Sequence, residues 1–132
     1  MGDVNLWAII AAAAAQIVIG MIWYGPLLGK QWMKEMGFNA KSVKTMKMKA
    51  QTSMALGAVA ALVMAYALDA FLGIAGAATF GRTAFWLWLG FQMPLVVGSA
   101  LWENKSWKLV AINAAYWLVT ILVMAWILAS WA

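Results

Sequence analysis

From Val4 to Leu28 the chain carries no charged side chain, a run longer than the roughly 20 apolar residues needed to cross a ~30 Å hydrocarbon core. Three more apolar runs follow, at about 50–72, 83–102 and 109–129. Few architectures bury four such segments. The expectation is an all-α, integral membrane, four-transmembrane-helix antiparallel bundle, forming one domain over 1–132. The first run stops at Trp23-Tyr24-Gly25-Pro26, and lysines begin at Lys30. Aromatic rings favour the headgroup level, and proline cannot continue a helix's hydrogen bonding, so this stretch marks the end of the first span. A leader peptide would put its positive charge before the apolar run, whereas Met1-Gly2-Asp3 is acidic. The first span therefore reads as an uncleaved helix.

Composition narrows the chemistry. Histidine and cysteine are both absent. Without them there is no disulfide framework, no thiolate or imidazole metal site and no histidine general base. Paired carboxylates and a nucleophile next to a base are also missing, so no enzyme is expected. No cofactor is expected either, because the ten tryptophans and ten methionines come without an axial ligand for a pigment.

The net charge of +5 depends for its meaning on where the lysines lie. Lys30, Lys34, Lys41, Lys44, Lys47 and Lys49 crowd the loop 30–49 against a single Glu35. Trp32, Met33 and Met36 are spaced for one face of a short interfacial helix, Gly37 ends it, and Asn39 is a candidate cap for the next. A nucleic-acid partner would need stacking residues and a globular scaffold, which the loop lacks. These lysines are expected to face the cytoplasm and touch anionic lipid headgroups. The first loop holds six lysines and the third holds Lys105 and Lys108, whereas the opposite side has only Arg82. That asymmetry predicts cytoplasmic first and third loops and outward-facing termini, in a cytoplasmic (inner) membrane.

Within the spans, polar and small residues mark the faces that turn inward. Ala8, Ala12, Gln16 and Gly20 recur every four residues on the first helix, a face suited to close packing or to substrate contact by Gln16. Gly57, Ala61 and Ala65 do the same on the second, and the next step of that series is Asp69. An intramembrane acid is a functional-site candidate. Asp69 reads either as a structural partner of Arg82, across the turn Gly73 to Gly81, or as a proton or cation site. On the third span Gly90, Pro94 and Gly98 share a face, Pro94 predicts a kink, and Gln92 lies where it could meet Gln16 as a buried amide pair. Asn113, Tyr116 and Thr120 form the most polar stripe of any span, which should point into the bundle. Trp117, Trp126 and Trp131 are expected toward lipid or the interface.

Several of these residues also carry a resemblance. Asn5-Leu6-Trp7, Trp23-Tyr24-Gly25-Pro26-Leu27 with Gly29-Lys30 and Trp32-Met33, and Met36-Gly37 resemble the DUF1761 family of small four-helix membrane proteins. Trp88-Leu89-Gly90-Phe91 with Pro94, Trp102-Glu103, Lys105 and Asn113-Ala114-Ala115-Tyr116 extend the likeness over nearly the whole chain. It implies a mostly prokaryotic, four-helix membrane protein and no assigned activity.

Two functions remain open. One is a membrane interaction or assembly protein, either a homo-oligomeric scaffold or an accessory subunit bound to other membrane proteins. The other is a small oligomeric transporter or channel with its proton or cation site at Asp69. In size and span count the chain is similar to small multidrug-resistance transporters. Those use a membrane-embedded glutamate in the first helix, where this chain has Gln16.

Overall fold

The computed structural model of the protein describes residues 6–36, 50–103 and 105–131. Lys41, Lys44, Lys47, Lys49 and Asn39, and the expectations placed on them, lie outside the described residues. Among the described residues every element is helical. Four helices are long and apolar enough to cross a membrane: Leu6–Leu27, Thr52–Ala75, Ala77–Trp102 and Trp107–Ser130.

Helix α1 (Leu6–Ile22) runs into a π-helical turn, Trp23–Leu27, where Gly25 leaves the helical region (φ −108°, ψ −108°) next to Pro26. The amide of Leu28 reaches back five residues to the Trp23 carbonyl at 2.9 Å. The chain then doubles over so tightly that a Cβ on Gly29 would lie 2.6 Å from the Tyr24 carbonyl oxygen. Only glycine fits that approach. Helix α2 (Gly29–Met36) starts from this joint.

Helix α3 (Ala50–Ala75) continues through Gly73, so the reversal expected over Gly73 to Gly81 narrows to Gly76, which adopts φ 100°. A 3₁₀ turn, Ala77–Thr79, leads into α4 (Phe80–Leu87). The third span therefore begins earlier than hydropathy suggested. Alanine and glycine carry no charge to mark an end, and Arg82 sits within the helix rather than before it.

The kink expected at Pro94 takes the form of a second π-helical turn, Trp88–Gln92, in which the Met93 amide donates to the Trp88 carbonyl. Proline offers no N–H to the carbonyl four residues back, and its ring crowds that turn. A wider turn just ahead absorbs both problems. Helix α5 (Met93–Trp102) follows, and α6 (Trp107–Ser130) is capped by Ser106, whose Oγ accepts from the Leu109 amide at 3.2 Å.

The core lies where α1 meets α3 and α6, and α4 adds Ala84 to the same cluster. Ala12, Ala61, Ala65, Ala84, Met124 and Ala125 are fully buried there. Alanine at the crossings lets backbones approach closely, which supplies dispersion contacts that bulkier side chains would block. Large apolar side chains turn outward instead. Leu95 is 73% exposed, Ile74 82% and Trp102 92%.

Candidate functional site

Among the described residues helix α6 takes part in most of the polar contacts between spans. Trp23, the first residue of one π turn, donates its indole N–H to the Ile112 carbonyl at 3.0 Å. Trp88, the first residue of the other, donates to the Ala114 carbonyl at 2.9 Å. Tyr24 Oη donates to Asn113 Oδ1 at 2.7 Å, and Tyr116 Oη donates to the Gln16 carbonyl at 3.2 Å. The Asn113, Tyr116 and Thr120 stripe therefore faces the other helices, with Tyr116 at 7% and Thr120 at 0% exposure.

These contacts organise an aromatic cluster. The ring of Tyr24 stands 5.3 Å from Trp32 and 5.1 Å from Tyr116, and Tyr116 stands 4.8 Å from Trp117. Such separations suit edge-to-face and tilted contacts. Helix α2 is tied down beside the cluster by Glu35. Its carboxylate accepts from Gln31 Nε2 at 3.0 Å and from the hydroxyl of Ser106. A carboxylate held at the cap of α6 also meets the positive end of that helix.

Beside this cluster lies a cleft of about 460 Å³, between the α1–α2 joint, α5 and α6. Leu95, Val96, Leu109 and Val110 line its apolar part, and Tyr24, Trp32 and Trp117 add aromatic walls. Ser99, Glu103, Lys105 and Asn113 supply the polar part. Glu103 accepts from Ser99 Oγ at 3.2 Å. The volume falls within the range of small-molecule sites, and the lining combines apolar walls with a few polar groups as such sites do.

The other residues singled out in the sequence are dispersed. Gln16 and Gln92 do not pair. Among the described residues Gln92 Nε2 meets only the Met64 thioether, at 3.9 Å, and neither buried amide oxygen has a partner. Gln16 lies at the crossing of α1 with α6, where its backbone carbonyl accepts from Tyr116, and Gln92 at that of α3 with the third span. Asp69 is half-buried and Arg82 exposed, and among the described residues no ion pair joins them. Ala12 and Gly20 pack inward, and a Cβ on Gly20 would stand 3.1 Å from Tyr116 Oη. On α3, Ala61 and Ala65 are buried while Gly57 is exposed. Among the described residues nothing stands within 4 Å of an added Cβ on Gly57, Gly90 or Gly98, so they serve no close packing there. Lys30 and Lys34 are exposed on α2.

Sequence reading missed Glu35 and Ser106 as a pair, and the indoles of Trp23 and Trp88 as donors. A clue existed for the indoles, since each tryptophan is followed two residues later by glycine and then by a proline.

No curated protein and no solved structure matches the chain. The family model described as "Protein of unknown function (DUF1761)" matches residues 7–129. The chain belongs to the DUF1761 family.

Proposed function

We propose that this is an integral membrane protein whose role is assembly, as a homo-oligomeric scaffold or as an accessory subunit of a larger membrane complex. In this reading the four long helices form an antiparallel bundle in the cytoplasmic membrane of a prokaryote, with both termini outward. Opposite directions for α1 and α6 are supported by the pairing of Trp23 with Ile112 and of Gln16 with Tyr116. Insertion is supported by the outward apolar surface, which in water would be an aggregation hazard and in lipid costs nothing. Orientation rests on the lysine asymmetry, and the exposed Lys30 and Lys34 are placed to reach anionic headgroups. We assign no catalytic role, cofactor or nucleic-acid partner.

The observation that carries the assembly role is the open space around Gly57, Gly90 and Gly98. In spanning helices, small residues of this kind admit a second backbone, and here no part of the chain's described structure fills that space. Native mass spectrometry on protein extracted gently from its own membrane tests the reading. A homo-oligomer or a stoichiometric foreign polypeptide supports it, and a lone monomer rejects it.

One observation favours the alternative of a small oligomeric transporter or channel: Asp69 is half-buried in a span without an ion pair to Arg82. Proton-coupled flux in liposomes, abolished by Asp69→Asn, is the result this alternative requires. A parent protein silent under every imposed gradient removes it.

A further inference from the structure

We propose that the cleft between the α1–α2 joint, α5 and α6 binds one apolar quinone, a flat ring bearing two carbonyls, at Asn113 and Trp117. This goes beyond the assembly role and rests on the membrane reading of the four helices. It is a binding site, and no electron transfer is assigned to this chain.

Asn113 and Trp117 both line the cleft, and a spacing of four puts them one turn apart on the same face of α6. Asn113 Oδ1 accepts from Tyr24, but among the described residues Asn113 Nδ2 and the indole N–H of Trp117 have no partner. Nor are they sealed in the core, because the buried unpaired side-chain atoms of the described residues belong to Gln16, Gln92 and Thr120. An amide nitrogen and an indole nitrogen can only donate. The unused capacity here therefore asks for a ligand that accepts.

Depth narrows the acceptor. Exposed Trp107 opens α6, at the headgroup level in the membrane reading. The helical rise puts Asn113 roughly 9 Å and Trp117 roughly 15 Å beyond it. Trp117 then lies near the middle of a ~30 Å hydrocarbon core. Water and the ester carbonyls of bilayer lipids stay shallower, and a donor left unpaired in hydrocarbon is costly. The acceptor has to be a carbonyl that moves within the apolar layer.

The walls favour a flat carrier for that carbonyl. Tyr24, already bonded to Asn113, sets its ring against Trp32 at 64°, and Tyr116 meets Tyr24 at 58° and Trp117 at 66°. Rings so steeply inclined do not stack on one another, and faces left unstacked suit a planar ligand. Leu95 and Val96 extend the lining with apolar surface for the chain of a membrane quinone. Glu103 and Lys105 line the cleft at the α5–α6 turn, with Leu109 and Val110 between them and Asn113 in sequence.

The test is native mass spectrometry of the full chain, reconstituted and verified as membrane-inserted. The probes are a decyl-naphthoquinone, the matching decyl-naphthalene without carbonyls, and dioctanoylglycerol, which has ester carbonyls and no ring. The expected result is one naphthoquinone per protomer, held about tenfold more tightly than the naphthalene. Trp117→Phe keeps a ring and deletes the N–H. It is expected to weaken quinone binding about fivefold, with naphthalene binding and the unfolding midpoint unchanged. If that variant fails to fold, the preference of the parent between the two ring probes decides.

Equal binding of the two ring probes by the parent overturns the proposal, as does a folded Trp117→Phe protein that keeps the full preference. Dioctanoylglycerol bound as tightly as the quinone assigns the donors to lipid esters and overturns it too. So does an inserted protein that takes up no quinone. Because insertion is verified beforehand, a failure of the membrane reading is seen separately from a failure of ligand choice.

Discussion

Tyr24 donates its hydroxyl proton to Asn113 Oδ1 at 2.7 Å, joining residues 89 positions apart, while the adjacent Trp23 holds the Ile112 carbonyl at 3.0 Å. Two consecutive side chains of one irregular turn thus grip consecutive residues of α6. The Gly25-Pro26 break, which locally weakens α1, is held by long-range bonds. In an apolar surrounding, an unpaired hydroxyl or amide is costly, so each partner has reason to keep the other.

Tyr24→Phe is accordingly expected to destabilise the protein by about 1 kcal/mol. In a double-mutant cycle with Asn113→Leu, the coupling is expected near about 0.6 kcal/mol and not above about 1.7 kcal/mol, the average and maximum for interhelical hydrogen bonds in a membrane protein. Reversible unfolding in mixed detergent micelles measures both. A coupling near zero would mean the bond is spectator geometry.

The contrast between that pair and the two glutamines shows how much was legible beforehand. The four apolar runs, the break at Gly25-Pro26 and the inward stripe of Asn113, Tyr116 and Thr120 follow from local pattern, because hydropathy and helical spacing are properties of neighbours in sequence. Which polar residue meets which across a crossing is not local. Gln16 and Gln92 do not meet, and Glu35 in the basic loop gave no sign of Ser106. The small-residue stripe on α3 was half informative. Ala61 and Ala65 are buried as the spacing implied, while Gly57, one turn earlier, faces outward. The polar end of the cleft was illegible for the same reason. Glu103 and Lys105 read as a turn between helices until the fold makes them line one cleft with Tyr24, Trp32 and Trp117.

Ser106→Ala removes two contacts at once, the cap to Leu109 and the anchor for Glu35. A loss of about 1 kcal/mol is expected from the cap alone. Amide hydrogen exchange should rise in α2 more than in α3, since α2 loses its tie to α6. Equal exchange in both helices would show that Glu35 does not hold α2 in place.

Glycines in crowded and open settings should respond oppositely. Gly20→Val pushes a branched side chain toward Tyr116 Oη, already 3.1 Å from where the Cβ would stand, with an expected cost of about 1–3 kcal/mol. A Cβ on Gly57 meets no described atom within 4 Å, so Gly57→Leu should not destabilise the single chain and, inside a helix, should stabilise it by up to about 0.8 kcal/mol. If the assembly role holds through that face, the same substitution breaks the oligomer. Size-exclusion chromatography with light scattering, beside an unfolding titration, separates the two effects.

Topology is open to direct labelling. Because the chain has no native cysteine, Lys44→Cys provides a single reporter. A membrane-impermeant thiol reagent added outside intact cells should leave it unlabelled, and permeabilised cells should label fully. Labelling from outside would reverse the assignment of the lysine-rich loop to the cytoplasm.

The indoles of Trp23 and Trp88 both end on backbone carbonyls, at Ile112 and Ala114, and not on side chains. A carbonyl is the same acceptor whatever residue bears it. Docking at these two points is therefore indifferent to the lettering of α6 and sensitive only to its helical course. Positions 112 and 114 are free to be rewritten with other apolar residues of similar size without losing either anchor. The two donors have no such latitude, because no other apolar ring offers an N–H at that reach. The same wiring lets one face of α6 be redesigned for a new partner while its hold on the first and third spans stays intact.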